Sequence, residues 1–71
     1  MKRIVAANRV VVSDRRTVTL GAVEIEDNRV TRVTRLDGEQ AFTEWLGGTI
    51  TLRRSADGSV SAFKEGRMLT A

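Results

Sequence analysis

The sequence contains no cysteine and no histidine. Their absence excludes disulfide bonds, thiolate nucleophiles and imidazole bases, and it removes the two side chains that most often bind transition metals. Most enzyme classes depend on one of these groups, so we predict a chain with no catalytic residue, no cofactor and no metal site. No apolar run approaches the roughly 20 residues that a membrane-spanning helix needs, so no membrane partner is expected.

The length of 71 residues gives room for one domain, and we predict that residues 1–71 form it. A domain of this size buries only about 60% of the surface that its unfolded chain exposes, so its core is small. A second subunit could supply further core, and we expect a homo-oligomer or a larger protein partner. The net charge of +3 includes ten arginines, and arginine is the side chain favoured for binding phosphate and carboxylate groups.

The N-terminus has only the first part of a secretion signal. Residues 1–3 carry a positive start, but the apolar stretch that follows ends at Ala7, because Asn8 interrupts it before a hydrophobic segment can form. A composition without cysteine is also compatible with a reducing compartment. We therefore expect a cytoplasmic protein.

Alternating apolar residues predict β structure at residues 3–12, as one long strand or two short ones, and a strand at residues 17–26. The alternation changes phase in both strands. In the first, a kink or bulge near Asn8-Arg9 would explain the change, and in the second a bulge at Gly21-Ala22 would do so.

A hairpin is predicted around Asp27 and Asn28, because both residue types tolerate the positive φ angles of a two-residue turn. In this register Ile25 faces Val30 across the hairpin, and the adjacent Glu26 and Arg29 form an ionic pair. Further along the hairpin the same register would place the apolar Val23 opposite Arg32. A bulge near Thr31 would bring Val33 inward in its place.

Helical spacing occurs in one place, residues 39–46, where Phe42, Trp45 and Leu46 stand at i, i+3 and i+4. Gly47 follows at the position of a C-terminal helix cap. We predict a single helical or 3₁₀ turn whose two aromatic side chains close one end of the core.

A second hairpin is predicted from strands at residues 49–54 and 59–63, joined by a turn that contains Asp57-Gly58. A further tight turn at residues 64–67 leads to a short closing strand at Met68-Leu69. The predicted fold is therefore all-β: a small β-sandwich or partly open barrel of five to seven short strands, with one short helical turn.

The acidic residues do not form a recognised catalytic pattern. General acid and base catalysis needs two carboxylates that converge on a pocket, whereas most of the aspartates here stand in predicted turns. Glu24, Glu26 and Asp27 could bind a hard cation, but their spacing matches no known loop. Gly47-Gly48 lacks the lysine and the following helix of a phosphate-binding loop, so we interpret it as a cap and turn.

Arginines are concentrated on two predicted strands that could be neighbours, and small β barrels bind nucleic acid through such faces. The residues of this candidate nucleic-acid face are Arg29, Arg32, Arg35, Arg53 and Arg54. The alternative is a solvated surface with cross-strand ion pairs.

Aromatic side chains are scarce: one tryptophan, two phenylalanines and no tyrosine. Nucleic-acid-binding barrels stack bases on exposed aromatics, but Phe42, Trp45 and Phe63 are all expected in the core. Trp45 is also a candidate anchor for a protein interface, since tryptophan is enriched in binding hot spots.

Residues 3–12, followed by the pattern Val-Glu-Ile-Glu-Asp-Asn-Arg-Val at residues 23–30, resemble the N-terminal strands of the amidohydrolase superfamily. Asn28 stands where the family prefers glycine. The resemblance covers about half of the chain and implies the small β-sandwich that packs beside the catalytic barrel of these enzymes. The family's metal-binding histidines have no counterpart here, so neither the metal site nor the hydrolase activity is implied.

Residues 42–48 are also similar to a segment of short bacterial proteins, a similarity that implies no function. Together the features predict a free-standing, non-catalytic β module for protein binding or assembly. The alternative is a nucleic-acid-binding barrel, and a third possibility is a small subunit that docks on a larger enzyme.

Overall fold

The computed structural model describes residues 1–38 and 41–71, and 67% of the described residues lie in strands. The strands are β1 (Lys2–Ser13), β2 (Arg16–Glu26), β3 (Arg29–Arg35), β4 (Thr43–Trp45), β5 (Thr49–Arg54), β6 (Val60–Lys64) and β7 (Arg67–Met68). They form one sheet that does not close, with the order β3-β2-β1-β5-β6-β7 and with β4 also paired to β1. This confirms the all-β prediction, and of the two predicted architectures the single unclosed sheet matches the partly open barrel.

Strand β1 is the centre of the sheet. One of its edges pairs with β2 in antiparallel orientation, and the other pairs in parallel orientation first with β4 and then with β5. Between β4 and β5, Gly47 and Gly48 have φ angles of 69° and 66°, a left-handed conformation that glycine adopts at little cost. The Asn8 side chain fills this interruption, because its Oδ1 accepts a hydrogen bond of 2.8 Å from the Gly48 amide.

The change of phase near Asn8 is present, since Val5 and Ala7 are buried before it and Val10 after it, and β2 changes phase at the same level. Ala7 pairs with Gly21 and Arg9 pairs with Thr19, so Asn8 lies opposite Leu20, whose φ is 52°. The ladder register does not shift here, so the predicted inserted bulge at Gly21-Ala22 is wrong. Both strands change phase at this level without an inserted residue, and the left-handed backbone of Leu20 is the irregularity in β2.

The β2–β3 hairpin has the predicted geometry. Asp27 and Asn28 have φ angles of 52° and 64°, and Ile25 pairs with Val30. The register then shifts so that Val23 pairs with Val33, which confirms the predicted bulge at the intervening Thr31. The Thr31 hydroxyl donates a hydrogen bond of 2.9 Å to the Glu24 carboxylate on the neighbouring strand.

The predicted helical turn is wrong in the part of residues 39–46 that the structure describes; residues 39 and 40 lie outside the described residues. Residues 41 and 42 form a turn, and Thr43 to Trp45 form strand β4 on the edge of β1. The prediction that the two aromatic side chains close the core is also wrong, because Phe42 is 95% exposed and Trp45 55% exposed. Pairing with the free edge of β1 satisfies more backbone groups than one isolated helical turn could.

The β5–β6 hairpin and the turn between β6 and β7 are confirmed. Within the described chain the core is entirely aliphatic, which explains why it has no need of the aromatic side chains. Its buried members are Val5, Ala7, Val10, Val23, Ile25, Ile50, Leu52 and Ala62. After β7 the chain packs Leu69 and Ala71 against this core, and the Ala71 amide donates a hydrogen bond to Asn28 Oδ1.

The residues that the structure describes include no helix that is long and apolar enough to cross a membrane.

Candidate binding surface

Alternate residues of four neighbouring strands point away from the core and form one continuous surface, which we call the outer face. In strands β4, β1, β2 and β3 the paired residues repeat across the sheet in rows, so side chains of one row stand side by side. One row consists of Trp45, Ala6, Ala22 and Thr34, and the next consists of Thr43, Ile4, Glu24 and Arg32.

Aromatic side chains occupy one side of the outer face. Trp45 pairs with Ala6, and the two side chains share this face although Ala6 itself is only 1% exposed. Phe42 lies just before β4 and lines a shallow concavity together with Lys2 and Ile4. Two of the three aromatic residues of the chain are therefore presented to solvent on one surface.

Arginines occupy the opposite side of the outer face. Arg32 and Arg35 line a concavity of about 330 Å³ with Thr34, and its remaining wall is formed by β1 and β2 residues that include Ile4 and Glu24. Both arginines are exposed. The outer face thus combines an aromatic side, a small apolar centre and a guanidinium side.

Glu24 is the acidic group at the centre of this face. The hydrogen bond from Thr31, the nearby Lys2 ammonium at 3.4 Å and the charge of Arg32 together lower the pKa of the Glu24 carboxyl. The carboxylate therefore stays ionised at neutral pH and cannot serve as a proton donor. It holds the Lys2 and Thr31 side chains in place.

A second crevice, of about 240 Å³, opens between β3 and the β5–β6 hairpin, where the sheet fails to close. Its walls are aliphatic side chains of the core, among them Val30 and Val60, and Arg32 and Arg54 also line it. Arg32 therefore contributes to both concavities.

The five arginines predicted as one nucleic-acid face lie in different places. Arg32 shares one concavity with Arg35 and the other with Arg54. Arg53 is stacked on Phe63, with its guanidinium carbon 4.9 Å from the ring centroid. Arg29 lies near the β5–β6 turn, where its charge contributes to lowering the pKa of the Asp57 carboxyl, after the larger effect of the hydrogen bonds from Ser59.

The Arg3–Glu44 ion pair was not predicted from the sequence, because its members are 41 residues apart and meet only through the parallel pairing of β1 and β4. Arg3 Nε and Nη2 donate hydrogen bonds of 2.6 and 3.3 Å to the two carboxylate oxygens of Glu44, and Nη1 donates to the Thr70 carbonyl. The hydrogen bond to Arg3 is the main cause of the lowered pKa of Glu44. The pair connects β1, β4 and the C-terminal residues.

Within residues 1–38 and 41–71, no three acidic side chains converge in a way that could hold a metal ion. Comparisons with protein-family models, with curated proteins and with solved structures give no match for this chain. The fold and the outer face define a small all-β domain with an exposed surface of aromatic and arginine side chains.

Proposed function

We propose that the chain is a non-catalytic, cytoplasmic protein-binding or assembly module whose outer face contacts its partner, with Trp45 and Phe42 as anchors. The observation that carries this proposal is the exposure of both aromatic side chains on one surface, beside an aliphatic core that has no place for them. Aromatic side chains dominate the energetics of protein interfaces. Because both rings expose apolar surface to water, their burial against a partner would contribute favourable binding free energy.

The condition of the carboxylates supports a role without catalysis. Glu24 is held ionised by the hydrogen bond from Thr31 and the nearby Lys2 ammonium, and Glu44 by its hydrogen bonds from Arg3. Asp57 accepts hydrogen bonds from Ser59 in its turn. A general acid needs a pKa raised towards neutrality, and these three pKa values are shifted in the opposite direction.

We further propose that the domain is a counterpart of the N-terminal sandwich of amidohydrolases. The similar pattern, residues 23–30, coincides with the β2–β3 hairpin and its turn at Asp27-Asn28. A likeness of this kind concerns the scaffold and implies no shared activity, because unrelated functions occur on one fold.

Co-purification of tagged variants from the native host tests the protein-binding proposal. Phe42→Ser with Trp45→Ser should lose the partner that the wild-type chain recovers. Leu20→Ser with Met68→Ser is the control, because these are also exposed apolar side chains, 46% and 45% exposed, and neither belongs to the two rows of the outer face. Equal recovery of the same partners by all three proteins would overturn the proposal.

A second candidate function is binding of single-stranded nucleic acid. The specific observation in its favour is that Arg32 and Arg35 lie on the same face as the exposed Trp45 and Phe42, an arrangement that offers guanidinium groups to phosphates and rings to bases. Such binding should weaken steeply as salt rises.

Fluorescence anisotropy of a labelled single-stranded RNA, measured across salt concentrations, tests this second candidate. Arg32→Gln with Arg35→Gln should weaken binding, whereas Arg15→Gln with Arg16→Gln removes the same charge at the exposed β1–β2 turn and should weaken it less. The absence of binding at low salt would remove this candidate.

A further inference from the structure

Strand β4 has a backbone edge that is not used within the described chain. β4 pairs with β1 on one side, and no other strand of residues 1–38 and 41–71 pairs with it. Edge strands present unpaired N–H and C=O groups, which makes them templates for another strand. Edges of this kind are either protected or used for binding.

The orientation of the β4 backbone groups follows from two hydrogen bonds. The Leu46 amide donates to the Ala6 carbonyl at 2.8 Å, and the Gly48 carbonyl accepts from the Arg9 amide at 3.1 Å. Alternate residues of a strand turn both backbone groups to the same neighbour, so Glu44 and Leu46 face β1. Thr43 and Trp45 therefore direct their N–H and C=O groups away from β1, towards the free edge.

We propose that this edge pairs with the β4 edge of a second copy of the chain, in antiparallel orientation about a two-fold axis at Glu44. This inference rests on the assembly role proposed above and names its partner. The register places Thr43 of one copy opposite Trp45 of the other, and it forms two mutual pairs with two backbone hydrogen bonds each. The interface is isologous, as expected for a symmetric dimer.

The charges at the axis are compatible with this pairing. The register places the two Glu44 side chains opposite each other, which would be unfavourable for isolated carboxylates. Each Glu44 is, however, already bound by Arg3 of its own chain at 2.6 Å. Two neutralised pairs thus meet at the axis, with the guanidinium groups next to the facing carboxylates.

Side-chain size and strand length also favour a second copy over a longer peptide. On the outer face the bulky Trp45 would stand beside the small Thr43 of the other copy. The positive φ of Phe42 and of Gly47 ends the extended backbone on both sides of β4. A longer peptide would gain no further pairs, whereas a second β4 matches the available length residue for residue.

Amide hydrogen exchange resolved by NMR tests this pairing in the wild-type protein. The Thr43 and Trp45 amides should exchange fast in dilute samples and slow by about tenfold when nine-tenths of the chains are dimeric, because exchange then occurs from the remaining monomer. The Leu46 amide, which is bonded to Ala6, should be protected at every concentration.

The comparison of Trp45→Pro with Trp45→Ala separates backbone pairing from side-chain contact. Both variants lose the indole, but only proline removes the outward N–H, and that N–H has no partner within the described chain. Sedimentation should show a weakened dimer for the alanine variant and no dimer for the proline variant. The dimer should strengthen with salt, since each copy carries a net charge of +3 and salt screens the repulsion.

A chain that stays monomeric up to on the order of 1 mM would overturn the inference. A dimer whose Thr43 and Trp45 amides exchange as in the monomer would also overturn it, because the contact would lie elsewhere. If Trp45→Pro fails to fold, the exchange measurement on the wild type decides alone. A monomer that still recovers another protein through Phe42 and Trp45 would refute the dimer and leave the proposed function intact.

Discussion

Gly21 is the position where the smallest substitution should have the largest structural effect. Its φ is not in the left-handed region, so backbone strain is not the reason that glycine stands there. A Cβ at this position would lie 2.7 Å from Cγ2 of Val10 and 3.2 Å from Cγ1 of Val18. Real Cβ atoms do not approach other atoms as closely as 2.7 Å, and Val10 is fully buried, so the core must shift.

The expected destabilisation of Gly21→Ala is the difference between two effects. Overpacking a well-packed core costs about 1 to 3 kcal/mol. Loss of unfolded-state entropy on replacing glycine offsets roughly 0.4 to 1 kcal/mol of this cost. The midpoints of these two ranges leave a net loss of about 1.3 kcal/mol. This is a substantial part of the roughly 4 to 10 kcal/mol expected for a domain of this length, and it lowers Tm by about 4 to 8 °C per kcal/mol.

A double-mutant cycle measured by urea unfolding identifies the cause. Val10→Ala alone removes buried methyl groups and should cost about 1 to 3 kcal/mol. In the Val10→Ala background the new methyl of Gly21→Ala enters the vacated space, so the two costs should not add, with a coupling of about 1 to 2 kcal/mol. Additive costs, or a Gly21→Ala variant as stable as the wild type, would refute the steric explanation.

Three further predictions concern single side chains. Phe42→Ser should change the free energy of unfolding by less than about 0.5 kcal/mol in urea titrations, because the ring is exposed. A larger loss of stability would indicate that the Phe42 ring is buried in the core. The hydrogen bond from Thr31 lowers the pKa of Glu24, so its stabilisation is present above the ordinary glutamate pKa and is lost as pH falls through the lowered folded-state value. Glu24→Gln should therefore flatten the acid limb of the stability curve, and an unchanged limb would contradict the assignment. Asn8→Ala should cost about 0.5 to 1.5 kcal/mol and deprotect the Gly48 amide, whereas Asn8→Asp retains the acceptor and should preserve that amide's protection in hydrogen exchange.

Local sequence signals predicted the hairpins well because turn chemistry and strand alternation act over a few residues. The turn at Asp27-Asn28 followed from residue types that tolerate positive φ, and the bulge at Thr31 followed from the need to bring Val33 to the core side. The β5–β6 hairpin likewise followed from its Asp57-Gly58 turn. In each case, the residues that decide the conformation are neighbours in the chain.

The signals failed where distant residues decide the conformation. The spacing of Phe42 and Trp45 fits a helical turn, yet the free edge of β1 offers backbone partners that a three-residue segment cannot find within itself. The relative positions of the five arginines also depend on distant pairing. In the ladder order β2 and β1 stand between β3 and β5, yet Arg32 and Arg54 line one crevice on the open side of the sheet, while Arg53 is stacked on Phe63.

The sequence by itself determined that this protein has an all-β fold, because alternation and turn residues are local properties of the chain. It also determined that histidine and cysteine chemistry is absent. Only the tertiary structure decided that Phe42 and Trp45 face solvent, that Arg3 binds Glu44, and that one edge of β4 is unpaired among the residues that the structure describes. The reason is that the parallel pairing of β1 with β4 joins segments about 40 residues apart, and no local pattern specifies which strand a segment will find.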